Sequence, residues 1–363
     1  MAPTEPSLAL AHDYLLVMRG AERTFAEMAA CWPAAPIYTL LYDADAVAEG
    51  FAGRDVTTSY LERLGSRQGS FRYLLPFFPR AVEHLPVADF DVIVSSSSAF
   101  AQGVRPGPEA LHVCYCHSPF RYVWFEGERA MSETPAPLRP VMRRILSRIR
   151  RWDLEASRRV THYIANSQIT RDRIEKIYGR DSEVIYPPVS VERFQLGEPE
   201  DFVLFVGQIV RHKRVDTAIE AALAAGRPIK VVGDGPELPR LRSQYEGRAV
   251  DLLGSVSDAE LASLYSRCAA LIVPNVEEFG IAAVEAQAAG RPVVAVNRGG
   301  VRETVVDGLT GVLVDGEDAA SLAEPLRDED FSRFDPAAIR ANAERFSATA
   351  FRQNLKATVE RYL

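Results

Sequence analysis

Glu277 and Glu285 bracket the start of an apolar stretch in "NVEEFGIAAVEAQAAGRPVVAV". Ile281, Ala282, Ala283, Val284, Ala286 and Ala288 surround Glu285 with small or aliphatic side chains. A helix apolar on nearly all sides is usually buried. A buried carboxylate without a partner costs free energy or shifts its pKa upward. Glu285 therefore needs a partner. An arginine or a backbone amide of the chain would serve, and so would the paired hydroxyls of a ribose. Gly280 stands where the first free helix amides begin, and such a start binds anions, phosphate above all. "NRGGVRET" repeats the device downstream. Gly299 and Gly300 allow close backbone approach, and a second helix is expected from about Val301. Phosphates on helix amides and a ribose on Glu285 would together make a nucleotide site.

Other residues could serve the same chemistry. In "FVGQIVRHKRVD" Gly207 ends a strand, and Arg211, Lys213 and Arg214 follow. Cations above strand ends could neutralise a diphosphate leaving group; a solvated basic loop is the alternative. Gly20 opens a helix in "YLLVMRGAERTFAE", and His117 in "CYCHSPFRYVW" directly follows a strand. "GDG" at 233–235 lacks the third glycine of a dinucleotide fingerprint and reads as a tight turn. "DAD" at 43–45 matches a short metal-holding pattern, but it begins a helix and no metal is expected there. "SSSS" at 95–98 is either a loop that approaches a ligand or a strand end.

These residues need a frame that carries them at strand ends. Short apolar runs alternate with helical segments through both halves, which implies two parallel α/β domains with helices on both sheet faces. The first spans 1–190. Residues 191–200 form a linker, within "YPPVSVERFQLGEPED". The second domain spans 201–340, and a helical segment at 341–363 is expected to pack back on the first. Ligands of such sheets sit beyond the carboxyl ends of the strands. Both sets of ends are expected to face one cleft.

The chain has 363 residues and a net charge of −7. Residues 1–197 carry 23 basic and 23 acidic side chains, the remainder 19 and 26. That balance argues against a nucleic-acid partner. Cys31, Cys114, Cys116 and Cys268 form no CxxC pair and read as free thiols. The first residues lack a basic, then apolar, leader, and no run approaches a membrane span. A cytoplasmic location is expected.

Together these motifs resemble glycosyltransferase family 4, retaining sugar-nucleotide transferases of the GT-B fold: two Rossmann-like domains facing across a cleft. The E-x7-E block from Glu277 to Glu285 is the most specific part. "GQIVRHKRVDTAIEA", "VVGDGPE", "LLGSVSDAELASLY", "IANSQITRDRI" and "VIYPPVSVERF" support it. The resemblance implies that Glu285 holds the ribose and Glu277 faces the donor sugar. It places the amides of Phe279, Gly280 and Ile281 on sugar and phosphates. It sets Lys213 on the diphosphate, Gly20 in the loop against it, and His117 beside the reacting sugar. Gln208 departs from the pattern, since family members usually carry arginine there. Diphosphate charge would then fall on Lys213, with Arg211 or Arg214.

"CHSPFRYVW" and "YLLPFFPRAVEHL" resemble bacterial mannosyltransferase-type members that assemble surface polysaccharides. The resemblance therefore implies a nucleotide-sugar donor, GDP-mannose first, with base recognition near Val256, and a lipid-linked saccharide acceptor. Residues 129–159 hold nine arginines against three acidic residues, mixed with Leu, Ile, Val, Met and Trp. Such a segment can lie on an anionic membrane face, or simply bury its apolar stripe and solvate its arginines. Competing readings are a nucleotide-sugar epimerase or a phosphorylase of similar build, and an inert sugar-nucleotide-binding subunit.

Overall fold

The computed structural model describes residues 6–64, 74–132 and 134–363. The chain divides into two compact units, Met1–Tyr186 with Phe351–Leu363, and Pro187–Ala350.

The first unit is built on seven strands: β1 (Leu8–His12), β2 (Ile37–Thr39), β3 (Val56–Thr58), β4 (Val92–Ser97), β5 (Leu111–Cys116), β6 (His162–Ala165) and β7 (Ser182–Val184). Every pairing is parallel, in the order β3-β2-β1-β4-β5-β6-β7. β4 is buried at all six positions, and β5 at all but Leu111. A parallel strand covered on both faces needs such an unbroken run, with no polar alternate face. Helix Gln168–Tyr178 shows how local sequence sets the connections. Ser167 caps it by accepting from the Thr170 amide, and Gly179 stops it at φ 63°.

The second unit has six parallel strands: β8 (Val203–Val206), β9 (Ile229–Val232), β10 (Val250–Gly254), β11 (Ala270–Val273), β12 (Val293–Val296) and β13 (Gly311–Val314). Their order is β10-β9-β8-β11-β12-β13. In each sheet the chain runs outward from one strand, then returns to that strand's other side. The reversal falls at β1/β4 in the first unit and at β8/β11 in the second. Loops leaving the carboxyl ends of such a strand pair diverge to opposite faces of the sheet, and the crevice left between them is where open α/β sheets bind ligands.

Several elements go beyond those named from the sequence. β3 is a three-residue edge strand with every position half-buried, too short to carry a period. Helix Ala319–Asp328 contains Pro325, which argues against a helix on propensity alone. It forms nonetheless, because Asp318 caps the Ser321 amide and Leu322, Ala323 and Leu326 join the core. The C-terminal helical stretch is two helices, Pro336–Glu344 and Ala348–Arg361. Phe351, Leu355 and Val359 of the last one enter the core of the first unit with Tyr115 and Ile185. All four cysteines are free and buried.

Candidate functional site

In the second unit, the residues after β8 and β11 meet at the strand reversal. β8 runs into Gly207 and the exposed Gln208, then a 3-10 turn over Arg211–Lys213. Here "GDG" has a structural task. Gly233 has φ 137°, and a Cβ on it would overlap the Gly207 carbonyl, so the two loops touch backbone to backbone only because residue 233 is glycine. Arg214 has φ 53°, the only positive φ of a non-glycine among the described residues. Such a residue costs roughly 1 kcal/mol, offset here by an ion pair to Glu317 at 3.0 Å.

Lys213 Nζ lies 2.5 Å from Glu277 Oε1, and Asn275 Nδ2 donates to the same oxygen at 2.8 Å. Lysine and glutamate are each about one-fifth exposed (23% and 21%), so the pair is screened less than a surface contact. The three cations of the loop thus have different surroundings: Lys213 faces Glu277, Arg214 and Arg298 share Glu317, and Arg211 is exposed.

Helix Ile281–Ala288 begins three residues after Glu278. Gly280 caps it at φ 88°, in the left-handed region. The amides of Ala283 and Val284 reach back to Gly280 O at 3.0 and 3.4 Å. Those of Gly280, Ile281 and Ala282 precede any carbonyl the helix can offer them. Phe279 turns its ring inward, edge-on to Phe346 at 5.5 Å.

Two sequence expectations change here. Glu285 is not sunk in an apolar helix: with Ile281 and Ala282 it lies on the half-buried face, and Gln287 is the fully buried polar residue. Tyr265 is a partner from within the chain: its hydroxyl donates to Glu285 Oε2 at 2.8 Å. Burial, and then the Glu285 charge, raise the Tyr265 pKa well above its usual value, so the phenol stays a donor. The second device, "NRGGVRET", is no second phosphate cradle. Helix Val301–Thr304 is a single turn. Gly299 (φ 73°) and Gly300 instead let this loop lie against Glu277–Phe279, where a Cβ on either would meet backbone. The Gly300 amide donates to Glu277 O at 2.7 Å. The glycines therefore brace the Glu277 loop.

In the first unit the polar residues collect at the carboxyl ends of β1, β4 and β5. The register pairs His12 with Ser96, so their side chains share a face. His12 Nδ1 lies 3.1 Å from both Ser96 O and Ser96 Oγ, and His117 Nε2 lies 2.9 Å from the same Oγ. Burial, then Arg121, lowers the His117 pKa to about 3. Burial, then His117, does the same to His12, against the Ser96 carbonyl. Asp13 closes the group by accepting from the amides of Ser98, Phe100 and Ala101 at 2.6–2.8 Å. "SSSS" is thus mainly a strand end. Gly20 is the exposed first residue of helix Gly20–Cys31, and the Arg19 amide before it donates to Glu22 at 3.1 Å. In "DAD", Asp43 accepts from the Ala46 amide, a turn-forming contact.

The sequence reading missed Asn275, Tyr265, His12 and Asp13, and flagged Ser96 only as part of "SSSS". For His12 and Asp13 the signal was "AHD", a polar pair at the end of an apolar strand.

The basic segment forms helix Arg139–Ser157. It buries Leu146, Ile149, Asp153 and Ala156, and exposes Arg143, Arg144, Arg148, Arg150 and Arg151. Leu138 and Val141 at its start are more than half exposed. Residues 70–73 of "SFRYLLPFFPRAV" lie outside the described residues. Among the described residues, no helix is long and apolar enough to cross a membrane.

Comparison with known proteins agrees with this geometry. A family model described as "Glycosyl transferases group 1" matches residues 190–328, and one described as "Glycosyltransferase Family 4" matches 18–193. An uncharacterized glycosyltransferase of Methanocaldococcus jannaschii is 32% identical over 167 residues, 45% of this chain and 48% of that protein. The D-inositol 3-phosphate glycosyltransferase of Frankia alni is 34% identical over 205 residues, 46% of this chain and 49% of that protein. The chain thus spans about half the length of the curated relatives it matches. Among solved structures, Anabaena HepE in complex with UDP superimposes with a TM-score of 0.72 at 19% identity, covering 98% of this chain and 100% of that one. The same protein has been solved in complex with UDP-glucose, with a TM-score of 0.71 at 20% identity, covering 98% and 99%. The two α/β units and these superpositions give the chain the GT-B fold.

Proposed function

The chain belongs to glycosyltransferase family 4, and we propose that it transfers a sugar, mannose from GDP-mannose, to a lipid-linked saccharide with retention of configuration. The observation that carries this reading is the grouping of Lys213, Asn275 and Glu277 at the β8/β11 reversal, directly before a helix start and one turn from Glu285. In the reaction, the bond from the sugar C1 to the diphosphate oxygen breaks. The acceptor hydroxyl bonds to the same face of C1, and its proton passes to the departing diphosphate. Negative charge grows on that diphosphate. Lys213 and the Gly280–Ala282 amides are charge complements for it without a metal ion. Glu285 holds the ribose: its carboxylate, half-buried one turn into the helix, can accept from paired hydroxyls. Glu277 faces the donor sugar, Gly20 lies against the diphosphate, and His117 contacts the reacting sugar. Nucleotide sugars are the expected ligands, and the UDP-bound and UDP-glucose-bound HepE structures support that class.

A melting panel with GDP, UDP, ADP and dTDP tests the donor. The best nucleotide at about 100 times its Kd adds about 2.7 kcal/mol of stability, which raises the transition of the second unit by roughly 5–10 °C. GDP is expected to give the largest rise, and a larger rise with UDP would overturn the base assignment. Glu285→Ala is expected to remove most of the shift. An unchanged shift contradicts the ribose role.

The acceptor is proposed to reach the enzyme at an anionic membrane face, with the protein in the cytoplasm and peripheral to the inner leaflet. The exposed arginines of helix Arg139–Ser157, with Leu138 and Val141 beside them, support this. At about 1 kcal/mol per basic residue, replacing Arg143, Arg144, Arg150 and Arg151 by Gln is expected to abolish flotation with anionic vesicles. Flotation of the variant at the wild-type level rules the surface out. The names of the curated relatives favour one competing acceptor, an inositol phosphate. Label from the donor recovered in a water-soluble product with inositol phosphate, and none in lipid, would select it.

A further inference from the structure

We propose that His12 and Ser96 are positioning residues that lock His117 in its Nδ1–H tautomer, so that it presents a hydrogen-bond donor at Nδ1. The polarity of the chain follows from one atom. The Ser96 carbonyl carries no hydrogen, so the contact to His12 Nδ1 at 3.1 Å requires the proton on His12. That N–H is shared with Ser96 Oγ, also at 3.1 Å. The serine hydroxyl then turns its own hydrogen onto His117 Nε2 at 2.9 Å. A ring that accepts at Nε2 carries its single proton on Nδ1. The reverse polarity would set a His12 lone pair against the Ser96 carbonyl oxygen.

The geometry is held from several sides. β1 and β4 pair in register at His12 and Ser96, and His12 stacks on Phe25 with ring centroids 4.6 Å apart. The His117 amide donates to Ser97 O at 2.9 Å, and Tyr115 packs edge-on against the ring at 5.2 Å. Burial keeps both imidazoles neutral, so each has one proton to place. Among the described residues nothing hydrogen-bonds His117 Nδ1. A neutral donor suits a sugar hydroxyl or ring oxygen, which an imidazolium would bind with less discrimination between oxygens. That last step rests on the sugar-facing role given to His117 above; the tautomer does not.

Long-range proton–nitrogen correlation spectra of the 15N-labelled full chain read the tautomer directly, with His117 assigned by its loss in His117→Gln. Wild type is expected to show His117 protonated at Nδ1 and bare at Nε2. In Ser96→Ala the ring should become a mixture of tautomers, whereas Ser96→Thr, which keeps the hydroxyl, should restore the wild-type pattern. His12→Phe keeps the stack on Phe25 and should loosen the lock. In transfer assays Ser96→Ala should lower kcat by about ten- to a hundredfold, the loss seen when the hydrogen-bond partner that orients a metal-bound histidine is removed, with donor KM within about twofold. Wild-type His117 protonated at Nε2, or a pattern untouched in Ser96→Ala, overturns the proposal whatever the activity. Full transfer by His117→Gln with the expected spectra would refute the sugar-facing role and leave the relay standing.

Discussion

Replacing Lys213 by Ala is expected to lower kcat for sugar transfer by about 10²- to 10³-fold, the usual cost of removing one preorganised group that meets charge developing in the transition state. The effect belongs to kcat more than to donor binding, because the diphosphate gains charge as the sugar leaves. The ion pair to Glu277 complicates the reading. At 2.5 Å, with both side chains only about one-fifth exposed, removing the lysine also leaves a carboxylate near the helix start with Asn275 as its recorded partner. That carboxylate would repel the diphosphate. Lys213→Ala should therefore cost more in an otherwise wild-type chain than in Glu277→Gln, and a double-mutant cycle on kcat should give a coupling of about 1 kcal/mol or more. Lys213→Arg keeps charge but presents a planar fork instead of a compact ammonium, so it should recover only part of the rate. A kcat for Lys213→Ala within threefold of wild type would show that this lysine does not meet the leaving group.

The two α/β sheets were legible because parallel strands buried on both faces must be short unbroken apolar runs, as in "DVIVSSS" and "ALIVP". Glu285 stood out as a charge inside an apolar helix, and Glu277 and Lys213 as charges just beyond apolar strands. What escaped was partnership over distance. Tyr265 reaches Glu285 across 20 residues and Lys213 reaches Glu277 across 64, and no periodicity encodes either contact. His12 and Ser96, 84 residues apart, face each other only through the register of β1 on β4. Strand order must be known before that pair exists. "NRGG" misled for a related reason. Two glycines before a helix are equally what a phosphate cradle and a close loop contact require, and only the Glu277–Phe279 backbone against them decides. Pro325 hid a helix whose existence depends on tertiary burial of Leu322 and Leu326.

The largest expected loss of stability comes from Asp153→Ala. This carboxylate is fully buried in helix Arg139–Ser157. It accepts from Gln102 Nε2 at 2.5 Å, Trp124 Nε1 at 2.6 Å and Tyr178 Oη at 2.8 Å. Alanine orphans three donors at roughly 1–3 kcal/mol each; with water entering to satisfy some of them, the expected loss is about 3–5 kcal/mol. That is a large part of the roughly 5–15 kcal/mol that holds a domain. Asp153→Asn separates hydrogen bonding from charge. Burial pushes the Asp153 pKa from 3.8 up to about 6, against the opposing bonds from Trp124, Tyr178 and Gln102. The folded state thus holds the proton more tightly than the unfolded state. Its contribution is full below the unfolded pKa of 3.8 and is lost as pH rises through 6, about 3 kcal/mol in all. About 1 kcal/mol of that falls between about pH 5 and 7.5. Asparagine cannot ionise and loses nothing over that window, and every other titrating group is common to both chains. The stability of the Asn variant relative to wild type should therefore improve by that amount from pH 5 to 7.5. Urea melts followed by tryptophan fluorescence measure it in the right unit, since Trp32, Trp124 and Trp152 all lie in the first one. A difference that stays flat with pH would mean that Asp153 ionises as readily in the fold as in the unfolded chain, held charged by its three donors despite burial.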